Sequence, residues 1–401
     1  MSSGAGGIAC GVASFALPTN AEGVLPGQML EAAIVAGVIG TQGADRIPRD
    51  NLQPASLDLR LGSVAYRMRS SFLPDRHTVI ERMGEHLIDE LSLTGRGAVL
   101  ETNRPYLIPL KECLDLPPTV RGKANPKSST GRLDIFTRVI TDRGRRFDEV
   151  RAGYRGPLYL EVVPLSFAVR VSEGLTLSQL RLAIGKSELS DEEIAKTHAK
   201  EPLLVADGRP LPAPELELSN GLFMGLGLSA TPGARAGYRA RDNAPLLDLT
   251  RPGPLDPSEY WEEVRVEQGG RIILTPQRFY LLMSKESVIV PPGLAAEMTA
   301  YDPTSGELRT HYAGFFDPAF GYERSGETNG SRAALEVRAH EVPFSIEDGQ
   351  KVCKLTFERM LEEPERLYGS ESNSSYQGQQ EALGKHFLSG AARNAGTGIA
   401  G

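Results

Sequence analysis

The chain has 401 residues, 40% of them hydrophobic and 24% charged, with a formal net charge of −7. That length gives room for two cores of roughly 170 residues each, and the composition excludes fibrous and disordered classes. The acidic balance excludes a nucleic-acid surface built on bulk positive charge, because neutralising a run of phosphates needs a basic face.

Residues 1–24 read as a flexible extension rich in Gly, Ala and Ser, without the basic start and continuous apolar core of a secretory signal. No apolar run reaches the ~20 residues that span a bilayer, so no membrane partner is expected. Cys10, Cys113 and Cys353 are too few and too scattered for a disulfide framework or a structural zinc site, which fits a cytoplasmic location. From Leu25 to Val35 apolar residues recur at helical spacing after Pro26-Gly27, predicting a short amphipathic helix. Leu57–Leu61, Leu158–Val162 and Phe167–Val171 then alternate with period two between Gly and Pro turns. Short alternating strands predict an all-β dominated protein, jelly-roll-like, with a few short helices.

Residues 184–254 differ in composition. Ser190 followed by Asp191-Glu192-Glu193 reads as a capped helix start, and Arg209–Pro214 is Pro-rich, so this stretch is expected to connect two β-domains at 25–183 and 255–366. The remainder, 367–401, holds a polar run to Gln380 that reads either as a disordered end or as a flap closing over a ligand.

The two domains are copies. Tyr106-Leu107 recurs as Tyr280-Leu281, Pro117-Pro118 as Pro291-Pro292, and Leu160-Glu161-Val162 as Leu335-Glu336-Val337, at separations of 174 or 175 residues. Their divergence is complementary. The first copy keeps a basic, hydroxyl-rich turn, Lys127-Ser128-Ser129-Thr130-Gly131-Arg132, where the second reads Asp302–Glu307. The second keeps Phe315-Phe316-Asp317-Pro318-Ala319-Phe320-Gly321, where the first has a blurred Phe147-Asp148 and Gly153–Gly156. One site assembled from both copies accounts for this division.

Two adjacent hydroxyls and two cations within six residues suit a polyphosphate, although a solvated serine-rich turn reads the same way. Glu161 and Glu336 each sit in an apolar strand; a carboxylate partly buried there has a raised pKa and can act as general base and then acid, while an exposed strand glutamate gives the same pattern. Asp317 lies among aromatics that could flank a planar base, or simply in an Asp-Pro turn over core aromatics. His311 and His340 are the histidines nearest these motifs, and the ligand pattern of the zinc deaminases is missing, so no zinc is expected.

Five motifs in order, namely Gln53–Gly62, Lys127-Ser128-Ser129-x-x-Arg132, Phe316–Gly321, Leu335-Glu336, and Tyr368 with Tyr376-x-x-Gln379, resemble dCTP deaminase, a member of the dUTPase-like superfamily, in its duplicated bacterial form. The resemblance covers about Leu25 to Gln380. It implies two tandem distorted jelly-rolls, sites between neighbouring β-domains, and zinc-independent hydrolysis of dCTP to dUTP and ammonia, with Mg²⁺ carried by the triphosphate. It assigns Lys127, Ser128 and Ser129 to the triphosphate, Arg132 to support of catalysis, Asp317 and Phe320 to sugar and base, and Tyr368 and Gln379 to a flap. Glu336 is the expected catalytic carboxylate and Glu161 the alternative. Lysine at 127 departs from the family's arginine and Ala319 from its Asp-Pro-Gly hairpin. A homo-oligomer, preferably a trimer, is expected by the same resemblance. Two other readings remain open: a dUTP pyrophosphatase or bifunctional enzyme, and a non-catalytic nucleotide-sensing β-domain protein.

Overall fold

The computed structural model describes residues 15–18, 20–251, 253–300, 308–310, 314–322, 329–339, 341–369, 376–379 and 381–387. His311, His340, the second-copy turn at 302–307 and the N-terminal residues 1–14 lie outside them. Strands dominate, and four short α-helices occur among the described residues. In the first copy one sheet joins Ile39–Thr41, Val64–Met68, Leu87–Ser92, Tyr106–Asp115, Ile135–Thr141 and Arg155–Pro164, and a second joins Gly23–Val24, Leu57–Arg60, Val120–Pro126, Glu149–Val150 and Thr176–Ile184. Pairing within both is antiparallel. The apolar residues of the alternating runs close the core between the sheets: Leu57, Leu59, Leu158, Leu160, Val162, Val169 and Val171 are fully buried.

The second copy repeats this plan from its start. Helix Gly27–Val35 answers helix Asp191–Lys200, Leu57–Arg60 answers Leu222–Gly225, and Val64–Met68 answers Arg235–Ala240. Register proves the match: Tyr66 pairs with Leu107 as Tyr238 pairs with Leu281, and Leu57 pairs with Leu180 as Leu222 pairs with Leu355. A buried glutamate recurs too, Glu112 accepting from the Arg60 amide at 2.7 Å and Glu286 from the Gly225 amide at 2.8 Å. Residues 184–254 are therefore not a connector, as composition suggested, but largely the front half of the second copy. Here the separation runs from 165 residues, between Leu57 and Leu222, to 172, between Tyr66 and Tyr238, so a comparison at 174 misses it. The helix expected from Ser190 forms, with Ser190 and Glu193 in a reciprocal capping box, and the helix expected near Leu25 runs from Gly27 to Val35.

The copies meet face to face along equivalent strands, Val120–Pro126 against Leu294–Ala300, each beginning two residues after its Pro-Pro pair. Lys123 and Glu297 occupy equivalent positions, and they form an ion pair; Asn125 Nδ2 donates to the same carboxylate at 2.9 Å. Beside them Arg181 donates to Glu358 at 2.8 Å, as does the Ser187 hydroxyl. Phe167 of the first copy packs edge-on against Trp261 of the second, their centroids 5.2 Å apart.

Candidate active site

One cleft opens on this seam and encloses about 970 Å³ of empty space, its mouth included, the size of a small-molecule site. The basic turn of the first copy forms one wall. Pro126 ends its strand, Lys127 is extended, and Ser128–Gly131 make a single helical turn. Ser128 and Ser129 line the cleft, and neither hydroxyl has a protein hydrogen-bond partner among the described residues. Lys127 Nζ pairs with Asp58 and donates to Thr176 Oγ1 at 2.9 Å. Burial pushes the Asp58 carboxyl up, with Lys127 opposing.

Strand Ser331–Ala339 of the second copy supplies the opposite wall. Alternation sends Glu336 and Arg338 to one face, toward the first copy: Arg338 pairs with Asp134, and Glu336 lies against Gly131. A Cβ at residue 131 would stand 2.7 Å from Glu336 Oε1, so any residue but glycine there would force that carboxylate to shift. Glu336 is buried, and loss of solvent pushes its carboxyl from an ordinary 4.5 to about 8, against the pull of Arg132 and with the help of Asp134.

The Phe-Phe-Asp hairpin closes the third side. Asp317 is buried with Oδ1 unpartnered by any hydrogen bond, 3.6 Å from Arg181 Nη2, and burial raises its carboxyl to about 6. Phe320 packs edge-on to Phe316 at 4.9 Å and tilted against Tyr368 at 5.6 Å. Ala319 holds φ at 74° and Gly321 at 68°, left-handed conformations that cost an alanine but not a glycine. Of the two first-copy stretches that the sequence offered as counterpart, the structure keeps Gly153–Gly156 and not Phe147-Asp148. Leu116 donates to Tyr154 as Val290 does to Phe320, both at 2.9 Å, which places Arg151 where Asp317 stands and Gly153, φ 70°, where Ala319 stands. Asp148 instead accepts from the Val139 amide at 2.8 Å.

The C-terminal segment roofs the cleft. Arg132 Nη2 donates to Gln379 Oε1 at 2.6 Å, Nη1 donates to the Ala382 carbonyl at 3.2 Å, and the guanidinium lies 3.7 Å from the Tyr376 ring centroid. Gln379 passes the contact on by donating to the Arg332 carbonyl at 2.6 Å. Among the described residues the C-terminal segment therefore covers the cleft.

The structure thus brings Lys127, Ser128, Ser129, Arg132, Asp317, Phe320, Glu336, Tyr368 and Gln379 to one cleft. It does not bring Glu161. That carboxylate accepts from Arg138 Nε at 2.9 Å, and the Arg138 guanidinium stacks 3.6 Å from the Phe147 centroid and donates to Ser71 at 2.8 Å, so Glu161 is paired within its own copy. Asp58, Arg181, Tyr376 and Lys385 were not singled out by the sequence reading. Asp58 and Tyr376 sat inside quoted motifs; Arg181 and Lys385 carry no local signal, since their positions follow only from the fold.

Two family models cover the chain. The 2'-deoxycytidine 5'-triphosphate deaminase N-terminal domain matches residues 21–186, and the C-terminal domain of the same name matches 190–387. The chain belongs to the dCTP deaminase family. The crystal structure of 2'-deoxycytidine 5'-triphosphate deaminase from Agrobacterium tumefaciens is similar at 44% identity and a TM-score of 0.79, over 88% of this chain and 99% of that one. Among curated relatives, the dCTP deaminase of Natronomonas pharaonis is 34% identical over 125 residues, 30% of this chain and 59% of the relative. The dUMP-forming dCTP deaminase of Halobacterium salinarum is 34% identical over 143 residues, 35% and 67% of the two chains. The chain is thus a member of an enzyme family with the dUTPase-like fold. No helix among the described residues is long and apolar enough to cross a membrane.

Proposed function

We propose that the cleft hydrolyses dCTP to dUTP and ammonia, and that Glu336 carries the proton transfers. The single supporting observation is a buried carboxyl, raised to about 8, at the junction of the hydroxyl-rich turn and the aromatic hairpin. A group titrating near neutrality serves as both acid and base. In this reading water attacks C4 of the cytosine as Glu336 takes its proton, and that proton passes to N3. The C4–N4 bond then breaks as the second water proton reaches the leaving amine, which departs as ammonia. The base lies against the Asp317 hairpin and its Phe320. The Ser128 and Ser129 hydroxyls and Lys127 donate to the triphosphate, which would bring its own Mg²⁺. Arg132, at the end of the basic turn, biases Glu336 toward its charged form while holding Gln379 over the cleft.

A second reading, that dUTP is also cleaved to dUMP, is favoured by one finding: relatives such as the Halobacterium salinarum enzyme are named dUMP-forming. Purified protein with dCTP and Mg²⁺, nucleotides resolved by anion exchange and ammonia assayed in parallel, separates the two. Accumulating dUTP supports deamination alone, and dUMP with pyrophosphate supports both steps. Binding of dCTP without any product would refute catalysis and leave a nucleotide sensor.

A further inference from the structure

Three cations line the cleft among the described residues, Lys127, Arg132 and Lys385, and two of them are already engaged. Lys127 is paired with Asp58, and Arg132 holds Gln379, the Ala382 carbonyl and the Tyr376 ring. Lys385 has no ion-pair or side-chain hydrogen-bond partner among the described residues. Partial burial, and after it the neighbouring Lys127 ammonium, disfavour its charged form, and the Asp58 carboxylate offsets them only in part. Lys127 and Lys385 thus share one carboxylate, Asp58, which leaves this end of the cleft with an excess of positive charge for an anion to match.

The backbone that carries Lys385 is fixed at both sides. Its amide donates to the Tyr376 hydroxyl at 3.4 Å, and the Leu255 amide donates to the His386 carbonyl at 2.7 Å. Phe387 then packs edge-on to Trp261 at 5.9 Å and against Tyr260 at 5.5 Å. The lysine is therefore presented to the turn end of the cleft by an anchored loop rather than by a loose tail.

Resting on the reading that this cleft takes a nucleoside triphosphate, we propose that Lys385, contributed by the C-terminal segment to the cleft that Ser128 and Ser129 also line, is a triphosphate-binding residue that selects triphosphate over monophosphate. Lys127 alone is poorly suited to that task, because Asp58 already satisfies it and a lysine lacks the bidentate fork of an arginine. Lys385 supplies the missing charge.

The test compares wild type with Lys385→Ala and Lys385→Arg in steady-state kinetics on dCTP and dCMP, and titrates inorganic tripolyphosphate into each protein by calorimetry. Loss of a charge-assisted contact predicts a KM for dCTP raised roughly 10- to 100-fold in Lys385→Ala with kcat within about threefold, and recovery in Lys385→Arg. The handling of dCMP stays unchanged, and tripolyphosphate affinity falls in parallel with the KM effect. Equal weakening of dCTP and dCMP, a fall in kcat at constant KM, or unaltered tripolyphosphate binding in Lys385→Ala would each overturn the proposal. Should wild type bind tripolyphosphate in a Lys385-dependent way yet leave dCTP intact, the deamination reading falls and the lysine's role stands.

Discussion

Replacing Glu336 by Gln should abolish deamination and make the protein more stable, by an amount that grows with pH. The carboxyl titrates at 4.5 when unfolded and about 8 when folded, so its folded form favours the proton. With a raised folded pKa, the associated stability is fully present below pH 4.5 and is lost as pH rises toward 8. At about 1.4 kcal/mol per pH unit across that window, wild type has forfeited about 3 kcal/mol at pH 7 and about 5 kcal/mol above pH 8. Glutamine imitates the neutral form and forfeits nothing. Urea unfolding of both proteins at pH 5, 7 and 9 should show the stability gap widening at each step, because every other titrating group cancels in the difference. A gap independent of pH, or a variant less stable than wild type at pH 9, would refute the claim that burial holds this group protonated.

Gly131→Ala should keep the fold but lower kcat by about 100-fold, since the new methyl displaces the Glu336 carboxylate by a fraction of its contact distance; circular dichroism with kinetics checks it. Ala319→Gly should raise stability by up to about 1 kcal/mol, the relief of a left-handed alanine less the added chain entropy, read as a rise in the urea midpoint. Glu161→Gln should leave kcat on dCTP within about threefold while costing about 1–3 kcal/mol, because it strips Arg138 of its partner; loss of activity would move the chemistry to the first copy. Lys123→Glu should destabilise by a similar amount by facing Glu297 with a second carboxylate, and the added change Glu297→Lys should restore most of it in a double-mutant cycle.

What was legible in the sequence followed from periodicity and from residues kept together in short motifs. Leu57–Arg60 alternates and forms a strand; Ser190 precedes three acids and caps a helix. The turn and hairpin residues were legible because their chemistry survives in a few consecutive positions. The extent of the second copy was not, because the drift in separation between its halves hides Leu222–Gly225 from its counterpart, and because Phe223 there replaces Asp58. The fates of Glu161 and Glu336 could not be told apart either. Both follow a leucine in a buried strand, and what divides them is a partner distant in sequence: Arg138 in one case, the bare backbone of Gly131 in the other. Arg151 standing in for Asp317 was hidden by a change of hairpin length between the copies.

The pairing of Lys123 with Glu297 has a further consequence. Two identical halves meeting through this face would set lysine against lysine, or glutamate against glutamate, each half-desolvated and unmatched. Once the positions diverged in sign, each half became a poor match for itself and a good match for its sibling. Made as separate polypeptides, the halves should assemble one to one and shun self-association. The joined chain has thus become a committed couple, in which losing either half would strand the other without a surface it can accept.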